Sequence, residues 1–179
     1  MSTKEAMQQY FRLRRDLADG GLDFLFKTPV IDETNNSIIF EGEIDEDEYV
    51  SWKPVEKKDL HDFKQLKEEF GIEFHETIIE YFNSYWFAEL DGFINNHYIK
   101  LEPVLPSIEL SSFQEVLKGY KKNHGNRLEN IPIGLEGNGL LVVVKNKCGK
   151  VYLEDFQRGT FDIITENIQE LILNLKFKR

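Results

Sequence analysis

Six carboxylates crowd the eight residues from Glu41 to Glu48 in the stretch FEGEIDEDEYVSWKP, residues 40–54. Side chains of this type at this density could ligate a hard cation, divide into a catalytic acid and base, or present charge to a basic partner. Calcium is tested by spacing. With Asp45 as the first position of an EF-hand loop, Asp47 falls third and Glu56 twelfth. The fifth position is then Tyr49, and the sixth is Val50, where glycine must make the sharp turn. Pro54 also interrupts the loop, so no metal ligands are assigned. A catalytic pair needs two acids in different surroundings, one of them partly buried. Six acids on one extended polar segment face water alike and stay ionised. No catalytic residue is assigned among them.

The remaining chemistry-bearing residues are scattered. His61, His75, His97 and His124 form no HExxH pair, and HETII at His75 lacks the second histidine. His61 and His124 sit in charged helical surroundings and are expected to be exposed, whereas His75 and His97 are expected to be partly buried. GLEGNG, residues 134–139, lacks the Lys-Ser/Thr of a phosphate-binding loop and joins two strand-like runs, which reads as hairpin chemistry. The single cysteine, Cys148, excludes an internal disulfide framework and has no adjacent base to activate it. Lys118, Lys121, Lys122 and Arg127 cluster around a tyrosine, but on a helix end they read as a solvated face. The sequence therefore points to no enzyme and no cofactor, with a metal-dependent enzyme as a remote alternative.

Composition bounds what else the chain can be. Its 179 residues, 41% hydrophobic and 13% aromatic, suit one globular unit with a sizeable core. Thirty-two acidic against 22 basic residues give a formal charge of −10. That balance disfavours nucleic acid and anionic membranes and favours a basic protein surface. No run approaches the roughly 18 apolar residues of a membrane span, and the first residues carry no apolar signal core. The expected location is the cytoplasm.

The acidic run must be positioned by the elements around it. Ser2-Thr3 and Glu5 start a helix on which Met7, Tyr10, Phe11, Leu13 and Leu17 recur at helical spacing up to Gly20-Gly21. Residues 22–36 read as irregular, with Pro29 and the turn signal DETNN. SIIF and YVSWKP read as extended segments flanking the acids. DLHDFKQLKEEFG predicts a helix with Leu60, Phe63, Leu66 and Phe70 inward, and EFHETIIEYFNSYWFAEL a second one carrying Phe74 to Trp86. Asp91-Gly92 predicts a turn into one strand, FINNHYIKLEPVL. SSFQEVLKGYKKNHG predicts a helix capped by Ser111 or Ser112. IPIGL, GLLVVVKN and KVYLED predict an antiparallel meander. DIITENIQELILNLKFKR predicts a closing helix with Ile164, Ile168, Leu171, Ile172 and Leu175 buried and its cations in the last turn. Strands and helices do not alternate regularly, so the fold class is α+β, a mainly antiparallel sheet packed on helices. A single domain over 1–179 is expected: the helix to residue 21, the acidic segment over 22–56 and the core over 57–179.

From Tyr49 onward this order of motifs resembles the Syd (SecY-interacting protein) family of the SUKH superfamily. The resemblance is carried by YVSWKP, ETIIEYFNSYWFAELDG, HYIKLEPVL, the IPIGL…GNGLLVVVKNKCGKVYLED meander and ENIQELILNLKF. It implies an α+β domain without enzymatic activity. Syd-like proteins bind basic cytosolic loops of the SecY translocation channel, and many SUKH relatives are immunity proteins that neutralise polymorphic toxins. The expected partner is thus a basic protein, first a toxin domain and alternatively the SecY loops, with any membrane association peripheral. The expected docking surface is Glu43, Asp45, Glu46, Asp47 and Glu48, with Glu89 and Asp91 as candidate neighbours across the sheet.

Overall fold

The Ser2 hydroxyl accepts a hydrogen bond from the Glu5 N–H at 3.1 Å, while the Ser2 N–H donates to the Glu5 carboxylate at 2.8 Å. This reciprocal cap starts helix α1, Thr3–Asp19, as its sequence signature predicts. The computed structural model describes residues 1–30, 38–106 and 108–178. Ala6, Met7, Tyr10, Phe11 and Ala18 form the inward stripe of α1, and Arg14 joins them. Leu13, expected on that stripe, is half exposed instead.

Residues 22–30 are not irregular. A 3-10 turn, Asp23–Phe26, leads into strand β1, Lys27–Pro29. The DETNN signal and Ser37 of SIIF lie outside the described residues. Strands β2, Phe40–Glu41, and β3, Tyr49–Trp52, complete a three-stranded antiparallel sheet in the order β1-β3-β2. Val50 faces Thr28 and Trp52 faces Phe40, so the acidic residues form the connection between β2 and β3. Trp52 is fully buried against Phe11 and Phe26.

Two predicted helices prove shorter than their apolar spacing suggests. Helix α2 covers only Lys64–Phe70, ended by Gly71 at φ 64°, and Leu60 lies outside it, exposed. Helix α3, Glu76–Ser84, stops before its last aromatics. Tyr85–Trp86 become strand β5 and pair with β4, Val55–Glu56, while Phe87 bridges Val104. Phe74, Ile78, Tyr81 and Phe82 are buried whichever backbone carries them.

The main sheet has six strands, all antiparallel. Its first two are β6, Leu90–Ile94, and β7, His97–Leu101, joined by Asn95-Asn96 at φ 48° and 67°. The chain reversal therefore sits at this Asn pair, a residue type that tolerates positive φ, and Asp91-Gly92 lies within a strand. The predicted meander follows as β8, Asn130–Glu136, β9, Leu141–Lys145, and β10, Val151–Asp155. Gly134 has to be glycine: a Cβ there would sit 2.5 Å from the Lys100 carbonyl oxygen on β7. A sixth strand, β11, Thr160–Thr165, takes the first residues of the predicted closing helix. Thr160, Ile163 and Thr165 are β-branched and pair with Asp155, Tyr152 and Val151 of β10, with β-branched Ile164 at the bulge between them. Helix α5 is then only Ile168–Asn174, capped by Asn167. Ile168, Leu171, Ile172 and Leu175 are buried as expected, Ile164 only partly. The terminal lysines follow the helix rather than end it, and Lys176 bridges Phe93 of the edge strand β6.

Helix α4, Glu109–Asn123, starts two residues ahead of the predicted serine cap. It sends Phe113 onto Phe74 and Phe82, with ring centroids 5.9 and 4.4 Å away. Helix α1 packs on α3 and α5, so one contiguous apolar core joins helices and sheet in an α+β arrangement.

Candidate functional site: an acidic concavity on a buried arginine

Arg14 lies one turn after Tyr10 and one before Ala18, on the stripe that α1 buries, and its side chain is 1% exposed. A buried guanidinium needs partners for its fork of donors. Nε donates to the Leu25 carbonyl at 2.7 Å and Nη1 to the Tyr10 hydroxyl at 2.8 Å. Nη1 also donates to Asp91 Oδ1 at 2.6 Å, and Nη2 to Glu89 Oε2 at 3.1 Å. Phe26 and Trp52 flank it, with ring centroids 5.6 and 5.5 Å away. The second Asp91 oxygen accepts from the Tyr98 hydroxyl. Arg14 is thus shared by two carboxylates, with Lys100 on β7 opposite Asp91 as a further nearby cation. Burial pushes the Glu89 carboxyl up, and the Arg14 charge beside it works against that shift.

The acidic connection is a built turn rather than a loose run. Asp45 Oδ1 accepts from the backbone N–H groups of Asp47 at 3.0 Å and Tyr49 at 2.9 Å. The Asp45 N–H donates to the Tyr49 carbonyl at 2.8 Å, and Glu48 turns the chain at φ 63°. Lys27 on β1 approaches Asp45 at 3.8 Å, and Lys53 pairs with Glu41 at 3.2 Å.

These two constructions meet. Asp45, Asp47 and Glu89 line one concavity of about 720 Å³, together with Phe24, Lys27 and Tyr49. Phe24 is 60% exposed and Tyr49 40%. Of the sequence-predicted docking residues, the fold brings Asp45, Asp47 and Glu89 together. Glu43, Glu46 and Glu48 are exposed on the same connection but outside the concavity. Asp91 stands behind it, spent on Arg14, Tyr98 and, through its backbone, the Tyr10 hydroxyl. Tyr85 is buried in the core.

Sequence reasoning missed Arg14 and Phe24. Arg14 was detectable, because the spacing 3, 7, 10, 14, 17 places it on the buried stripe. Phe24 stands in a segment without periodicity, and nothing local marks it. His61 was misplaced as exposed, being partly buried, and so was His124. His124 stacks on Tyr120 and meets the buried Glu154 at 2.5 Å, and so ties α4 to β10.

Nothing in the concavity arranges a nucleophile beside a base. Among the described residues no group of three or more His, Cys, Asp or Glu side chains could hold a metal ion, and no helix is long and apolar enough to cross a membrane.

What the geometry offers is charge, two exposed rings and a rigid floor. The sequence matches the Syd protein (SUKH-2) family over residues 26–176, which contain every residue lining the concavity except Phe24. The chain belongs to the Syd family. It is 25% identical over 145 residues to Protein Syd of Idiomarina loihiensis, an alignment covering 79% of this chain and 78% of that protein. Protein Syd of Psychromonas ingrahamii is 23% identical over 137 residues, covering 75% and 74% respectively. Arg14, which holds Glu89 and Asp91 from beneath, lies ahead of the Syd match, on a helix that the matched sheet must carry.

Proposed function

We propose that this chain is a non-catalytic binding domain that docks a basic segment of a protein partner into the concavity of Asp45, Asp47 and Glu89. The observation that carries the reading is the convergence of those three carboxylates with two exposed aromatic rings on a preorganised floor, in a chain of the Syd family. Carboxylates of one sign raise the encounter rate with a basic target, and Phe24 and Tyr49 supply apolar anchorage once charge has steered it in. Glu43, Glu46 and Glu48 extend the negative field beyond the rim. Family membership makes the cytosolic loops of SecY the partner of choice. The protein would then work in the cytoplasm and reach the membrane through SecY, without inserting. The toxin-inhibitor expectation takes second place, because both relatives carry the name Syd.

The test is co-sedimentation with SecY-containing proteoliposomes, against liposomes without SecY. Retention should require SecY, weaken with salt and vanish in a Glu46→Lys, Asp47→Lys double variant. Equal retention by both liposomes, or a double variant that binds normally, overturns the reading. Binding to a basic toxin domain but not to SecY would move the immunity reading forward.

A further inference from the structure

A separate concavity of about 380 Å³ opens between α1, the Asp23–Phe26 turn, the end of β3 and β5. Arg12, Arg15 and Lys53 line it with their exposed side chains, beside the exposed amide of Gln8. Its floor is aromatic: Phe11, Phe26 and Tyr85 contribute nearly buried rings. Its charge runs against that of the whole chain, with three cations and no carboxylate among the lining residues of a protein at −10.

The cations are available. Arg12 and Arg15 stand three residues apart on α1, and neither is in an ion pair among the described residues. The Arg15 guanidinium lies 3.8 Å from the Phe26 ring centroid, a stacking contact that restricts it without using its N–H donors. Lys53 shares its charge with Glu41 at 3.2 Å, where both side chains are half exposed and the attraction is weak.

We propose that this concavity binds a phosphate group. Two guanidinium forks and an ammonium match the charge and the tetrahedral oxygens of a dianion, and arginine can donate to two of those oxygens at once. A single carboxylate would leave most of that positive charge uncompensated. The aromatic floor removes water from one side, which strengthens each charged contact. Gln8 adds a neutral donor. The phosphate is carried either by a soluble phosphorylated molecule or by a lipid headgroup, which present the same chemistry to Arg12 and Arg15.

The experiment titrates the full chain with pyrophosphate by calorimetry and measures its sedimentation with phosphatidylglycerol and phosphatidylcholine vesicles. The comparison variant is Arg12→Gln, Arg15→Gln, whose side chains are exposed; an unchanged circular-dichroism melt confirms its fold. The expected result is pyrophosphate binding that the variant weakens by at least about tenfold, the loss of two charge-assisted contacts. Retention on phosphatidylglycerol vesicles that the variant abolishes assigns the site to lipid headgroups. Pyrophosphate binding without vesicle retention assigns it to soluble phosphates. Absence of both, undiminished binding by the variant, or tighter binding of a polyglutamate peptide than of pyrophosphate overturns the proposal.

Discussion

Arg14 Nη1 and Asp91 Oδ1 lie 2.6 Å apart, a contact between an arginine 1% exposed on α1 and an aspartate 77 residues away on the edge strand β6. The pair locks the first helix to the main sheet, and Glu89 joins it at the rim of the acidic concavity. One buried cation therefore serves both fold and surface, since it permits Glu89 at the concavity to sit close to Asp91 behind it.

Removing that cation should be costly. Arg14→Met keeps the apolar stem but leaves Glu89 and Asp91 close together without the buried cation between them. The expected loss is about 3–5 kcal/mol, read from urea denaturation midpoints. Arg14→Lys should recover little, because one ammonium cannot reach the Leu25 carbonyl, the Tyr10 hydroxyl and both carboxylates as the planar fork does. Adding Glu89→Gln and Asp91→Asn to Arg14→Met should restore part of the stability. An unchanged midpoint in Arg14→Met would show that the cluster contributes nothing to folding.

Asp45 and Asp47 line the same concavity but should respond to alanine in different ways. Asp45 accepts two backbone N–H groups that shape its turn, so Asp45→Ala should lose about 1 kcal/mol of stability as well as binding. No hydrogen bond or ion pair among the described residues uses the Asp47 carboxylate, so Asp47→Ala should lose binding at unchanged thermal midpoint. Paired melts and binding isotherms of the two variants check this. Equal melting losses would refute the division of roles.

The strands with alternating or continuous apolar residues were legible from sequence because burial on a sheet imposes its own period. IPIGL, LLVVVK and VYLED became β8, β9 and β10 with little adjustment. Errors fell where two periods fit the same residues. Ile164 to Leu175 can be drawn as one helical stripe, yet β10 offered Thr160–Thr165 a ladder that a helix would forgo. Tyr85 and Trp86 likewise continue a helical pattern but pair with Glu56 and Val55, far back along the chain. Such long-range partners are invisible to a local window. The acidic half of the site was legible as charge. Phe24 was not, because its exposure follows from how the turn after α1 packs on Trp52 and Arg14.

Glu136 gives a pH test with a defined sign. Burial pushes its carboxyl up, but the Asn138 backbone N–H at 2.8 Å, together with His97 and the Asn138 side chain, prevails and holds it below the ordinary carboxylate range. A carboxyl lowered in the folded state contributes stability above its unfolded value of about 4.3, and that stability is lost as pH falls through the folded value. Glu136→Gln removes this contribution. The gap in urea midpoint between parent and variant should be full at neutral pH and narrow below about pH 4. A gap constant across that range would mean that Glu136 acts only through packing.

The last prediction separates charge from anchorage at the concavity. Exposed carboxylates act over a Debye length of about 8 Å at physiological salt, so their removal should change both affinity and its salt dependence. Phe24 and Tyr49 carry no charge and act by burying apolar area when a partner arrives. Phe24→Ala and Tyr49→Ala should each weaken binding to SecY proteoliposomes by about tenfold or more, the range of a central aromatic anchor. The slope of log affinity against log salt should stay that of the parent. Asp47→Ala should flatten that slope. The variants are read by surface plasmon resonance at three salt concentrations: Asp47→Ala should lower the association rate, and the two aromatic variants should raise the dissociation rate. Aromatic variants that bind normally would leave the acids as the whole of the docking surface, and the rings would then be exposed for a reason unrelated to this partner.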